Sequence, residues 1–213
     1  MIYEKERQSL IDTALLMKAN NLIRMSGGNV SLRVSENEIL VTPTAMDYET
    51  MLASDIVVVD NDGNKIDGIR KPTSDLQAII YIFKNMPWVN AIIHTHQPSA
   101  TALSLVTDEL PCISSTMVDE LHGPVKVAPF TISSDVGMGI VTVENAGNSL
   151  AVILKHHGVI AYGKSMDQAL CAAVYLEESS EVYLKAKAIL KDVPYLSKEQ
   201  IEAEDAPRGY YGQ

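Results

Sequence analysis

AIIHTHQPSA, residues 91–100, reads as an apolar strand that carries two histidines and is broken by a proline. Successive strand side chains point to opposite faces, so His94 and His96 lean the same way while Thr95 points away. Two imidazoles on one face can share a single object. The ordinary alternative is a pair of packed, hydrogen-bonded histidines, so the rest of the chain has to supply further ligands before a metal is inferred.

Working outward, the strand sits among short alternating elements. Residues 5–23 have helical spacing at Leu10, Ile11, Ala14 and Leu15. Glycines at 27 and 28 break that helix and open a strand, and EILVTP and DIVVVDNDGNKI follow as further strands, the second turning at Asp62-Gly63. TSDLQAIIYIFKNM reads as a helix with Thr73 or Ser74 as N-cap and Pro87 as its stop. Pro98 begins a short helix, PVKVAPF is a strand, SSDVGMGIVTVENAG a helix, and LAVILKHHGVIAYG a hairpin with His156-His157-Gly158 near its turn. A long helix follows Ser165 as N-cap, with a carboxylate-rich face expected to be solvated. The last segment is polar. No repeat or linker interrupts the chain, so residues 1–213 are expected to form one α/β domain. Hairpin spacing outnumbers βαβ units, which predicts a mainly antiparallel sheet.

Composition narrows the class. Apolar residues make up 46% and charged residues 21% of the 213, the balance of an ordinary globular protein rather than a disordered one. The net charge of −10 repels phosphate backbones and anionic bilayers, so neither nucleic acid nor membrane is an expected partner. An anionic substrate would have to be captured by local donors. The N-terminal residues show no basic stretch followed by an apolar core, and no long apolar run occurs, which points to the cytoplasm. Cys112 and Cys171 form no CxxC pair and suggest neither a disulfide framework nor a cysteine zinc site.

Two groups of residues carry candidate chemistry. His94 and His96 need a third ligand, and one of His156 and His157, at the end of the apolar strand LAVIL, is placed to provide it. Such an imidazole set suits zinc, with manganese, cobalt or iron as the other candidates. The second group is GGNVS, TPTAM and KPTSD, small-residue turns at element ends whose backbone N–H groups and hydroxyls can cradle an anion. Each turn taken singly is more simply a cap. There is no GxGxxG and no Walker A sequence, so nucleotide binding has no support.

Taken in order, GGNVS, VTPTAMDY, KPTSD, HTH, HHGVIAYG and the terminal YYGQ resemble the class II aldolase and adducin family, across nearly the whole chain. The resemblance implies a three-layer α/β/α fold around a central, mainly antiparallel sheet. It also implies a C4 homotetramer with active sites between subunits. By position it makes His94, His96 and His157 the ligands of one divalent metal per subunit, leaving His156 as a structural neighbour. It places Gly28, Asn29, Thr44, Ala45, Thr73 and Ser74 at the substrate phosphate. The chemistry implied is Lewis-acid stabilisation of an enediolate when a carbon–carbon bond breaks, with no lysine Schiff base.

The resemblance divides between two branches of the family. Asp75 stands where the fuculose-phosphate aldolase branch has glutamate and the ribulose-phosphate 4-epimerase branch has aspartate. Asp119 falls where the epimerase branch places an acid/base, and YYGQ matches its ending. Thr42 replaces a phosphate-facing lysine of that branch, and the segment between Pro129 and His156 has the aldolase length. Tyr211 matches the aldolase's C-terminal tyrosine, while a second tyrosine expected near Ser115 is missing. The expectation is therefore an aldolase that cleaves a ketose 1-phosphate to dihydroxyacetone phosphate and an aldehyde. Asp75 would be the proton shuttle, Tyr211 would arrive from a neighbour's tail (191–213), and Asp119 is the second acid candidate. A 4-epimerase working by retro-aldol and aldol steps is the alternative. A non-catalytic domain like the adducin head is remote, because all three metal histidines are present.

Overall fold

A computed structural model describes residues 1–206. Helix α1 (Glu4–Ala19) is followed by strands β1 (Asn29–Arg33), β2 (Glu38–Val41), β3 (Val57–Asp60) and β4 (Lys65–Asp67). Then come α2 (Leu76–Asn85), β5 (Ala91–Thr95), α3 (Pro98–Leu103), β6 (Glu109–Leu110), α4 (Ser115–Leu121) and β7 (Val125–Ala128). The chain continues through α5 (Gly137–Asn145), β8 (Ala151–Leu154), β9 (Gly158–Gly163), α6 (Met166–Ile189) and α7 (Lys198–Glu204).

The strands form one nine-stranded sheet in the order β4-β3-β2-β1-β5-β9-β8-β7-β6. Every pairing is antiparallel except β7 with β8. The mainly antiparallel α/β fold expected from hairpin spacing is therefore present, with β5 between β1 and β9 near its middle.

Alternation along the strands splits the core in two. Ile93, Val159 and Ala161 face a cluster shared with α1, α3, α4 and α6. Ile92, Ile160 and Tyr162 face the opposite cluster, shared with α2 and α5. Helices thus cover both faces, which is why the central strands read as continuous apolar runs. Alternation puts His94 on the α2/α5 side with Ile92. Among the described residues no helix is long and apolar enough to cross a membrane.

Several local expectations are corrected. α1 ends at Ala19 rather than residue 23, with Asn20 as C-cap. The N-cap of α2 is Asp75, not Thr73 or Ser74; the Thr73 hydroxyl instead accepts a hydrogen bond from the Asp75 amide at 3.3 Å. α5 begins at Gly137, because Ser134 adopts a left-handed conformation (φ 62°) and the Asp135 carboxylate accepts from the Gly137 amide at 2.7 Å. Asp119 lies on α4, a helix capped by Ser114 that the sequence reading did not mark. The polar C-terminal segment holds α7, and the Leu196 amide ties it to the Cys112 carbonyl at 2.8 Å.

Candidate metal centre and substrate cavity

His94 is the most constrained of the histidines. It is 1% exposed, and Asn29 of β1 and Ile160 of β9 are its register partners on either side. Its Nδ1–H donates to the Val159 carbonyl at 2.9 Å, which assigns the proton to Nδ1 and leaves the Nε2 lone pair free. Burial pushes its pKa from 6.5 down to about 4, against the pull of Asp75 and with help from His96 and His157. Burial also lowers His96 and His157. All three rings are therefore neutral near pH 7, the state in which imidazole is a ligand.

His96 lies just past the end of β5, and the chain beyond it is fastened to α6. Gln97 does this directly: its Nε2 donates to the Ala173 carbonyl at 2.8 Å. The first amides of α3, Ser99 and Ala100, donate to the Glu177 carboxylate at 2.8 and 3.1 Å. The carboxylate-rich face of α6 is thus not merely solvated, because Glu177 caps the helix that follows the metal strand. His157 comes from the turn between β8 and β9, where His156 is left-handed (φ 63°) and the His157 amide closes onto the Leu154 carbonyl at 3.1 Å. His156 turns toward Phe130, with ring centroids 6.3 Å apart.

The three rings converge. One nitrogen from each of His94, His96 and His157 lies within 4.8 Å of the others, with His94 Nε2 and His96 Nε2 3.1 Å apart. Neutral rings, a fixed tautomer at His94 and facing nitrogens fit a divalent ion with room for further ligands.

Beside them, Asp75 is 8% exposed, with Oδ2 3.9 Å from His94 Nε2. That same oxygen accepts from Asn29 Nδ2 at 2.7 Å, and Oδ1 accepts from the Ser134 hydroxyl at 3.1 Å.

Gly28 brings Asn29 into place. Its φ is +75°, and a Cβ there would run into the His94 carbonyl oxygen, so only glycine permits this approach. The Tyr48 hydroxyl donates to the Gly28 carbonyl at 2.8 Å, and burial raises that phenol to about 12, so it stays a donor. The two later turns are bound to each other: the Thr44 amide donates to the Lys71 carbonyl at 3.2 Å and the Thr73 amide to the Thr42 carbonyl at 3.0 Å.

All of this opens into one cavity of ≈ 810 Å³. Gly28, Asn29, Thr44, Ala45, Thr73 and Ser74 line it together with Asp75 and the three histidines. No Lys or Arg is among its described lining residues. Asp119 is exposed on α4 and is not part of this lining. Tyr211 lies outside the described residues. The sequence reading missed the wall formed by Phe130 through Ser134 because SSD resembled a helix start, and it missed Tyr48, Gln97 and Glu177 because their partners are remote in sequence.

Residues 8–184 match the family model described as class II aldolase and adducin N-terminal domain. An L-fuculose phosphate aldolase from Haemophilus influenzae is 31% identical over 195 residues, covering 92% of this chain and 89% of its own. A 5-deoxy-D-ribulose 1-phosphate aldolase from Bacillus thuringiensis serovar kurstaki is 28% identical over 191 residues, covering 89% of each chain. Among solved structures, an L-fuculose 1-phosphate aldolase superposes with a TM-score of 0.89 at 26% identity, covering 96% of each chain.

Proposed function

The chain belongs to the class II aldolase and adducin family, and on that footing we propose that it is an aldolase cleaving a ketose 1-phosphate to dihydroxyacetone phosphate and a small aldehyde. The observation that carries this reading is the shared cavity, in which the His94, His96 and His157 nitrogens, the Asp75 carboxylate and the small-residue turns face one space. His94, His96 and His157 would hold a divalent ion, zinc by preference, which would supply Lewis-acid stabilisation of the negative charge that develops on carbon–carbon cleavage.

The remaining work falls to the chain. Gly28, Asn29, Thr44, Ala45, Thr73 and Ser74 hold the phosphate end through neutral donors, since no Lys or Arg lines the cavity among the described residues. Asp75, next to His94, takes and returns the proton at the reacting centre. Asp119 and Tyr211 would act from a neighbouring copy in a C4 tetramer, Tyr211 on the aldehyde oxygen and Asp119 as the second acid.

The test is a coupled assay on metal-loaded protein. It follows dihydroxyacetone phosphate released from L-fuculose 1-phosphate and from 5-deoxy-D-ribulose 1-phosphate, with L-ribulose 5-phosphate run in parallel. Release that a chelator abolishes supports the aldolase. Formation of xylulose 5-phosphate without free fragments would replace it with the 4-epimerase.

A further inference from the structure

We propose that Ser134 is a positioning residue for Asp75, holding its carboxylate in one plane and tying the wall segment of the cavity to it. The proposal rests on the reading of Asp75 as the proton-moving group. Asp75 receives one hydrogen bond on each oxygen, and the donors come from two separate segments of the cavity lining. Asn29 is on β1, inside the sheet, and pins Oδ2. Ser134 is on the segment between β7 and α5 and pins Oδ1.

A single pin would leave the carboxylate free to swing. The terminal torsion of an aspartate is broad, so one bond at Oδ2 fixes that oxygen and little else. The second bond selects the plane, and with it the lone pair that Oδ2 turns toward the His94 edge. A hydroxyl donating to an ionised carboxylate is among the stronger neutral-donor bonds.

The segment is built to deliver that hydroxyl. Ser134 sits at φ 62°, a conformation that costs a non-glycine residue and persists where surrounding contacts impose it. Immediately after it, the Asp135–Gly137 bond turns the chain into α5. α5 is then seated hard on α2, because a Cβ at Gly139 would lie 2.5 Å from the Ala78 carbonyl oxygen. Asp75 is the N-cap of that same α2. The helix contact and the Ser134 bond therefore join the same two pieces of chain at two points. Between β7 and Ser134 lie Phe130 and Ile132, 62% and 72% exposed, which line the cavity and owe their position to this anchorage.

The test uses Ser134→Gly, which removes the hydroxyl and accepts the left-handed backbone, and Ser134→Asn, which keeps a donor and tolerates that backbone. Asp75→Ala removes the acceptor. With whichever ketose 1-phosphate the wild type cleaves, Ser134→Gly is expected to lower kcat by about 10-fold or more with KM changed less than about 2-fold, and Ser134→Asn to recover most of it. In metal-free protein, hydrogen exchange over residues 130–136 is expected to quicken in Asp75→Ala. In a Ser134→Gly background the same change is expected to add nothing. Unchanged kcat in Ser134→Gly while Asp75→Ala is inactive, or unchanged exchange in Asp75→Ala, would overturn the proposal alone. Full activity of Asp75→Ala would overturn the reading of Asp75 and the proposal with it.

Discussion

His94 donates through Nδ1 to the Val159 carbonyl across the β5–β9 pair, at 2.9 Å, so the strand pairing that completes the sheet also aims Nε2 at the metal position. Three of the predictions below depend on that one ring or on its neighbours.

Replacing a ligand removes the ion and leaves most of the fold. His96→Ala, at an exposed position just past the end of β5, is expected to lower metal affinity by more than about 100-fold, since even outer-shell changes cost 10- to 100-fold. Metal content after dialysis and dihydroxyacetone phosphate release are the measurements. Chelated wild type should match the variant, and a variant that keeps stoichiometric metal would remove His96 from the ligand set.

Asp75→Asn keeps the shape of the side chain and removes its basicity. Activity is expected to fall by about 10²- to 10⁴-fold, the usual range for a positioned general acid/base, while metal content stays at the wild-type level. Loss of metal in step with activity would instead make Asp75 a ligand.

Acid should weaken the metal-free protein before it reaches the carboxylates. His94 is held neutral, its pKa lowered from 6.5 to about 4, so the unfolded chain takes up a proton that the folded chain refuses. Its contribution is complete above about 6.5 and is lost as pH falls toward about 4, with an effect on the order of 1–3 kcal/mol. Asp55, also depressed, acts only below its ordinary 3.8, whereas His96 and His157, lowered from 6.5 by burial, add to the loss in the same window. Denaturant midpoints of metal-free protein at pH 7.5, 6 and 5 should decline in that order, and His94→Asn should flatten the series; a flat wild-type series would show that the three histidines titrate normally.

Two left-handed turn positions should respond in opposite directions. Gly28→Ala forces a methyl onto the His94 carbonyl at φ +75°, with an expected cost of about 2 kcal/mol or more and loss of metal. Ala45, at φ 53°, pays for its methyl already, so Ala45→Gly should gain about 0.5 kcal/mol once glycine's extra chain entropy is subtracted, raising Tm by about 1–2 °C. Thermal melts of the two variants check both.

What the sequence made legible follows from periodicity and local turns. Alternation in AIIHTH put His94 and His96 on one face, and the HHG turn brought one further imidazole within reach of them. GGN, TPTA and KPTSD were recognisable as turns, and the structure places them along one cavity. What stayed hidden are bonds between residues with no local signature. Ser134 meets Asp75 across 59 positions, Gln97 meets Ala173 across 76, and Ser99 meets Glu177 across 78. A serine beside a helix start and a glutamate on a helix face look the same in sequence whether or not a distant partner awaits them. The left-handed φ at Ser134 is likewise a tertiary consequence, since serine itself does not call for it.

The position of β9 has a consequence for how the protein is made. Residues 1–95 contain the contiguous half-sheet β4-β3-β2-β1-β5, and β6, β7 and β8 form the other side, yet in the sheet of the described residues the two halves are joined through β9, the last of its strands to leave the ribosome. Until it docks, β5 presents an open edge and His94 Nδ1 lacks its Val159 acceptor. The third ligand lies in the turn that leads straight into the seam strand, so a nascent chain stalled before His157 has neither a closed sheet nor a complete ion-binding set.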